Sequence, residues 1–139
     1  METGMAFHSI CDQFANILHG KGKTENGVCT VSFHRSFDAK IEGKNASSIL
    51  GVDVTFQSLD QEGNALNLVE VAILQEELPA FTFAATQQGI VVGAIHNHWL
   101  FTKPQIMYIH LQSIEPPLQF AEKIAYAFTQ LNSLPVPKK

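Results

Sequence analysis

Apolar residues recur at two different periods along this chain of 139 residues, and the order of those periods constrains the fold more than any other feature. Phe7, Ile10, Cys11, Phe14, Ile17 and Leu18 keep the three-and-four spacing of one helix face, with Gly20 as a stop. The period then drops to two. "GVCTVSFHR" puts Val31 and Phe33 on one face, and "DAKIEG" is expected to return beside it through Ser36 and Phe37. After a loop at "GKNASSILG", "VDVTFQSL" aligns Val52, Val54 and Phe56, "DQEGN" turns, and "ALNLVEVAIL" forms a longer strand.

A helical pattern resumes over about 76–88, with Glu76 and Glu77 where the helix dipole favours acids and Pro79 in the first turn. Leu78, Phe81 and Ala85 form its stripe, which ends near Gly89. "IVVGAIHNHW" and "QIMYIHLQ" read as a hairpin around "LFTKP", with Pro104 starting the returning strand. Pro116 and Pro117 then open a last helix carrying Ala121, Ile124, Ala125, Phe128 and Leu131, and "LPVPKK" is expected to fray.

Helices and strands that do not simply alternate predict an α+β fold, a mainly antiparallel sheet with helices packed on one face. From the strand at 66–74 onward the order is that of a split βαβ arrangement. The length suits a single domain over 1–139, with a core at about 5–132 and a tail at 133–139.

Composition narrows the function classes. The longest apolar runs, "IVVGAI" and "LVEVAIL", fall far below the roughly 20 residues of a membrane-spanning helix. The N-terminus lacks the basic start and apolar stretch of a secretory signal, so a cytoplasmic, soluble protein is the expectation. Cys11 and Cys29 stand in different predicted elements and make no CxxC motif, so both are expected buried and reduced. Nine Lys and Arg against thirteen Asp and Glu give a net charge of −4 with no basic face, which argues against nucleic acid as a partner.

The chemistry gathers in "GAIHNHWLFTKPQIMYIHLQSI", which holds three of the six histidines. On a strand, His96 and His98 share a face. On the returning strand Met107, Ile109 and Leu111 make the core set, which leaves Ile106, Tyr108 and His110 opposite the helices. A turn near Thr102 and Lys103, with a summed register of about 206, would pair 96 with 110 and 98 with 108, with opposed Cβ atoms about 5 Å apart. In the strand at 66–74, Val69, Val71 and Ile73 face the core, so Glu70 joins the histidine face. Three imidazoles with a carboxylate are a ligand set for a divalent transition metal, zinc first, and an open position would allow metal-assisted hydrolysis.

His96, His98, His110 and Glu70 are therefore the candidate metal ligands, with Arg35, Asn97 and Tyr108 as candidate ligand-binding residues around them. His34 and Arg35 close the first strand and could reach the site from the other half of the domain. The competing reading is a non-enzymatic module for ligand binding, sensing or oligomerisation, whose histidine face holds a small molecule or a second chain. "HNH" as three adjacent letters is not the nuclease signature, whose residues are separated along a ββα unit. "GKGKT" is not a phosphate loop, because Ile17 stands where the first glycine is needed and a helix precedes it. It reads as a connector. "NAS" at 45–47 matches a glycosylation acceptor, which has no weight without secretion.

The segment "GIVVGAIHNHWLFTKPQIMYIHLQSIEPPLQFAEKIAYAFTQL" resembles the LppY/LpqO family, named for mycobacterial lipoproteins. The shared pattern is a glycine-ended helix, a strand finishing in "HNH", a loop with Lys103-Pro104, a strand ending in His110, and a last helix. It extends back through "EVAILQEELPAF" and "GVCTVSFHR", covering about residues 5–132. Arg35 matches the family pattern, while His34 replaces its usual proline, so no role for His34 follows. The resemblance implies a bacterial domain of unknown function and brings no activity with it.

Overall fold

A computed structural model describes residues 2–138. In chain order the elements are α1 (Glu2–Leu18), β1 (Gly22–Glu25), β2 (Val28–His34), β3 (Lys40–Ile41), β4 (Lys44–Asn45) and β5 (Gly51–Gln57). There follow β6 (Ala65–Leu74), α2 (Leu78–Thr86), β7 (Val91–His96), β8 (Thr102–Lys103), β9 (Ile106–Glu115), α3 (Pro117–Phe128) and β10 (Val136–Pro137). The main sheet runs β1-β2-β5-β6-β9-β7, with β10 added against β2, and every pairing in it is antiparallel. Since β6 and β7 both oppose β9, which lies between them, β6-α2-β7 is the split βαβ unit expected from the order of periods.

The three helices cover one face of this sheet, as an α+β fold requires. Val31, Phe33, Val52, Val54, Phe56, Val69, Val71, Ile109 and Leu111 point into that layer and are at most 2 % exposed. Phe14 from α1, Phe81 from α2, and Phe120 and Ile124 from α3 meet them. Phe14 sits edge-on to Phe56 at 4.9 Å between ring centroids. Helix α1 ends at Leu18, two residues before its glycine: His19 takes the left-handed conformation at φ 62°, and Gly20 N–H closes on the Ala15 carbonyl at 2.9 Å. Gly20 serves a different need. A Cβ there would lie 2.5 Å from Val31 Cγ1, so only glycine lets the helix end approach β2 this closely.

Several expectations are corrected. "DAKIEG" does not return beside β2, because β2 is already flanked by β5 on one side and by β1 and β10 on the other. Its β3 pairs with β4 and β8 in a separate three-stranded sheet. The true partner is the supposed connector: "GKTE" is β1, turned into β2 by Asn26-Gly27 at φ 52° and 77°. Those two positive-φ residues make the two-residue loop that suits a twisted hairpin. The second helix begins at Leu78, and Gln75–Glu77 ahead of it is a short 3-10 turn. The C-terminal stretch does not fray throughout, since Val136 and Pro137 pair with His34 and Phe33.

The cysteines are corrected too. Packing α1 on β2 brings Cys11 and Cys29 to a Cα separation of 5.6 Å, and the two form a disulfide buried in the core. No helix among the described residues is long and apolar enough to cross a membrane.

The other face of the sheet is covered over one half only. Ala39, Leu50, Ala72, Ile106 and Tyr108 form a second small cluster there, with Phe37 and Ile49 against it. Beyond it Leu68, Val91 and Ile114 stay exposed at 36, 55 and 71 %.

Candidate metal centre

Between the covered and bare halves of that second face runs one row of polar residues. Its members oppose each other strand by strand: Ser32 with Asp53, Asp53 with Glu70, Glu70 with His110, and His110 with Ala94. The expected neighbourhood of Glu70 and His110 is thus a direct cross-strand pair, which brings side chains to about 5 Å at Cβ. Their atoms come closer, with His110 Nε2 3.3 Å from Glu70 Oε2.

The register between β7 and β9 differs from the expected one by two residues. His96 opposes Tyr108, not His110, and Ala94 takes the place across from His110. A two-residue shift keeps every side chain on its face, so the histidines still converge, diagonally. His96 Nε2 lies 2.9 Å from His110 Nε2, with the rings stacked at 5.0 Å and 22°. An irregularity between Val92 and Ala94 makes this possible. Val92 packs into the helix layer, and strict alternation would send His96 there as well. The extra residue, Gly93, resets the phase and turns His96 onto the open face.

Glu70, His96 and His110 each offer a ligand atom, and the three atoms lie within 4.8 Å of one another. Tetrahedral zinc with ligands at about 2.0–2.1 Å needs ligand atoms roughly 3.3 Å apart, close to the spacing present. The two carboxylate-bearing and imidazole-bearing side chains of Glu70 and His110 are 42 and 40 % exposed, so solvent reaches the point they share.

His98 does not belong to this trio. It lies past the end of β7, its ring 6.0 Å from that of His96 and perpendicular to that of Tyr108 at 5.4 Å. Tyr108 stacks on His96 at 5.8 Å and donates its hydroxyl to the Ile49 carbonyl. Burial raises the Tyr108 hydroxyl above its usual value, opposed by a hydrogen bond with Trp99 and reinforced by the charge of Glu70. It is a neutral group at neutral pH.

Asn97 accepts a hydrogen bond from Gln105 Nε2 at 2.7 Å and braces the loop between β7 and β9. Arg35 is not brought to the trio at all. Its guanidinium is buried, donating to both carboxylate oxygens of Glu77 at 2.9 and 2.7 Å and to the Ala72 carbonyl at 2.9 Å. Asp53 is the residue that the sequence reading passed over. Its Oδ1 accepts from Ser32 Oγ at 2.6 Å, and it lines the groove beside Glu70. The signal was available: Val52, Val54 and Phe56 face the core, so Asp53 must share the open face, and the turn at "DQEGN" sets 53 opposite 70.

Residues 12–130 match the family model described as Domain of Unknown Function (DUF1259). No curated protein and no solved structure matches the chain.

Proposed function

We propose a function for a chain that belongs to the family described as Domain of Unknown Function (DUF1259), a membership that supplies no activity of its own. In this reading His96, His110 and Glu70 hold a divalent transition metal, zinc first, and leave a coordination position open toward the groove. The observation that carries it is the convergence of three ligand atoms from three neighbouring strands within 4.8 Å. Two imidazoles and one carboxylate are a catalytic zinc set, and a metal so held lowers the pKa of bound water to about 7, the basis of metal-assisted hydrolysis. His98 and Tyr108 stand on the covered side of the trio, and Asn97 braces the loop that carries His98. Arg35 stays outside the site, committed to Glu77 and the Ala72 carbonyl.

Elemental analysis of protein purified without an affinity tag tests this reading. We expect about one metal per chain, lost when His96, His98 and His110 are all replaced by Ala. Among single variants, His110→Ala should lose the metal while His98→Ala keeps it within a few-fold in affinity. No metal in the native protein, and no binding on titration of zinc, nickel, iron or copper, would overturn it.

The LppY/LpqO resemblance is the finer family assignment we adopt, and with it a bacterial origin and a single domain. The disulfide favours an oxidising compartment over the cytoplasm expected from the N-terminus. A non-enzymatic module for ligand binding or for docking a second copy is the second reading. It draws support from β7, an edge strand with Val91 and Ile95 exposed at 55 and 45 % and no charged residue between them.

A further inference from the structure

Asp53 and Glu70 form the shared rim of two hollows. One, of about 540 Å³, extends over the bare half of the face toward Thr55, Leu68 and Gln112. The other, of about 350 Å³, extends the opposite way to Ser48, His98, Trp99, Tyr108 and Lys138. The loop carrying Trp99 is tied down beyond it, where Thr102 and Lys103 pair with Ile41 and Lys40. Trp99 itself is 42 % exposed, its ring 4.9 Å from that of His98.

The lining of this second hollow discriminates among ligands by charge. Both signs occur among its lining residues, Asp53 and Glu70 against Lys138, so a ligand of a single charge meets a residue of like sign. A hydroxyl group is matched by both. It can donate to Asp53 and Glu70, which only accept, and accept from Lys138, which only donates. Asp53 spends one oxygen on Ser32, and no hydrogen bond occupies the other among the described residues. The exposed indole offers a flat apolar surface for the C–H face of a ring compound.

We infer that the hollow at His98, Trp99 and Lys138 is a subsite for a neutral hydroxyl-rich ligand, a sugar or polyol unit, bound with its next group over the metal trio. This deepens the metal reading by naming a substrate class, and it rests on that reading only in making the ligand a substrate.

Trp99 is the only tryptophan in the chain, so its emission reports on the hollow directly. Tag-free protein would be titrated, with and without zinc, against a panel of monosaccharides, disaccharides and linear polyols, and against inorganic phosphate and tetramethylammonium. We expect a saturable change with at least one sugar or polyol, weakened roughly tenfold in Asp53→Asn and in Lys138→Met through loss of hydrogen-bonding partners. Circular dichroism of both variants should match the parent. Saturation by phosphate or by tetramethylammonium, no saturation by any sugar or polyol, or parent-like sugar affinity in either variant would each overturn the inference. Zinc stoichiometry on the same samples separates the two ideas: zinc without a sugar response sinks the subsite alone, and a sugar response without zinc sinks the metal alone.

Discussion

Arg35 and Glu77 show how one pair of side chains is committed to structure. Burial pushes the Glu77 carboxyl upward, but hydrogen bonds from Arg35 and from the Asn132 and Leu74 N–H groups, with the charge of Arg35, outweigh it and hold the pKa below the usual 4.5. The stabilisation is therefore complete above that value and is lost as pH falls through the lower folded-state value. Replacing Glu77 with Gln leaves a buried guanidinium unpaired and should cost about 3–5 kcal/mol near neutral pH. Urea unfolding over a pH series checks both points: the gap between parent and variant should narrow in acid. The pair was half legible. A cation at a strand end could be seen in the sequence, but Glu77 looks like a dipole-favoured acid at a helix start, and nothing local links it to a residue 42 positions earlier. The same holds for His98, whose place beside His96 assumed that β7 continued for two more residues than it does.

At the level of elements, alternation identified faces reliably and register poorly. Val52, Val54, Phe56, Val69, Val71, Ile109 and Leu111 all face the helices as their spacing predicts, and Glu70 and His110 face away. Register depends on what joins the strands. The five-residue turn at "DQEGN" is local, so the β5–β6 pairing could be counted from it. The β7–β9 connection is not a simple turn, because β8 leaves to pair with β3, and a bulge sits at Gly93. Asn26-Gly27 is the strongest hairpin signal in the chain, and it joins β1 to β2, although the four residues of β1 carry too little apolar alternation to stand out as a strand. The seat of α1 on β2 offers an element-scale test. Gly20→Ala would set a methyl 2.5 Å from Val31 Cγ1 and 2.9 Å from Phe33 Cζ, an overpacking expected to cost about 1–3 kcal/mol. A lowered midpoint with an unchanged denaturant slope would confirm it; parent-like stability would mean that the helix end yields.

For the whole molecule, the Cys11–Cys29 bond closes the N-terminal part of the chain onto the sheet. Their separation of 18 residues said nothing of it, because the contact exists only once helix and strand are packed. A closed loop of that size stabilises by about 3 kcal/mol in the chain-entropy account, so Cys11→Ala with Cys29→Ala should lower stability by that order. Thiol titration of the denatured parent should find no free thiol until a reductant is added; two free thiols without it would refute the bond. The half-covered second face has a different consequence, one of traffic. The cluster around Leu50 and Ile106 flanks the trio on one side, and the larger of the two hollows opens to His96 and His110 on the other, so metal ions reach it mainly across the bare strands and depart by the same road. A bulky graft on that road, Thr55→Trp, should slow metal exchange in a stopped-flow chelator assay while leaving the equilibrium affinity nearly unchanged, because it touches the entrance and none of the ligands.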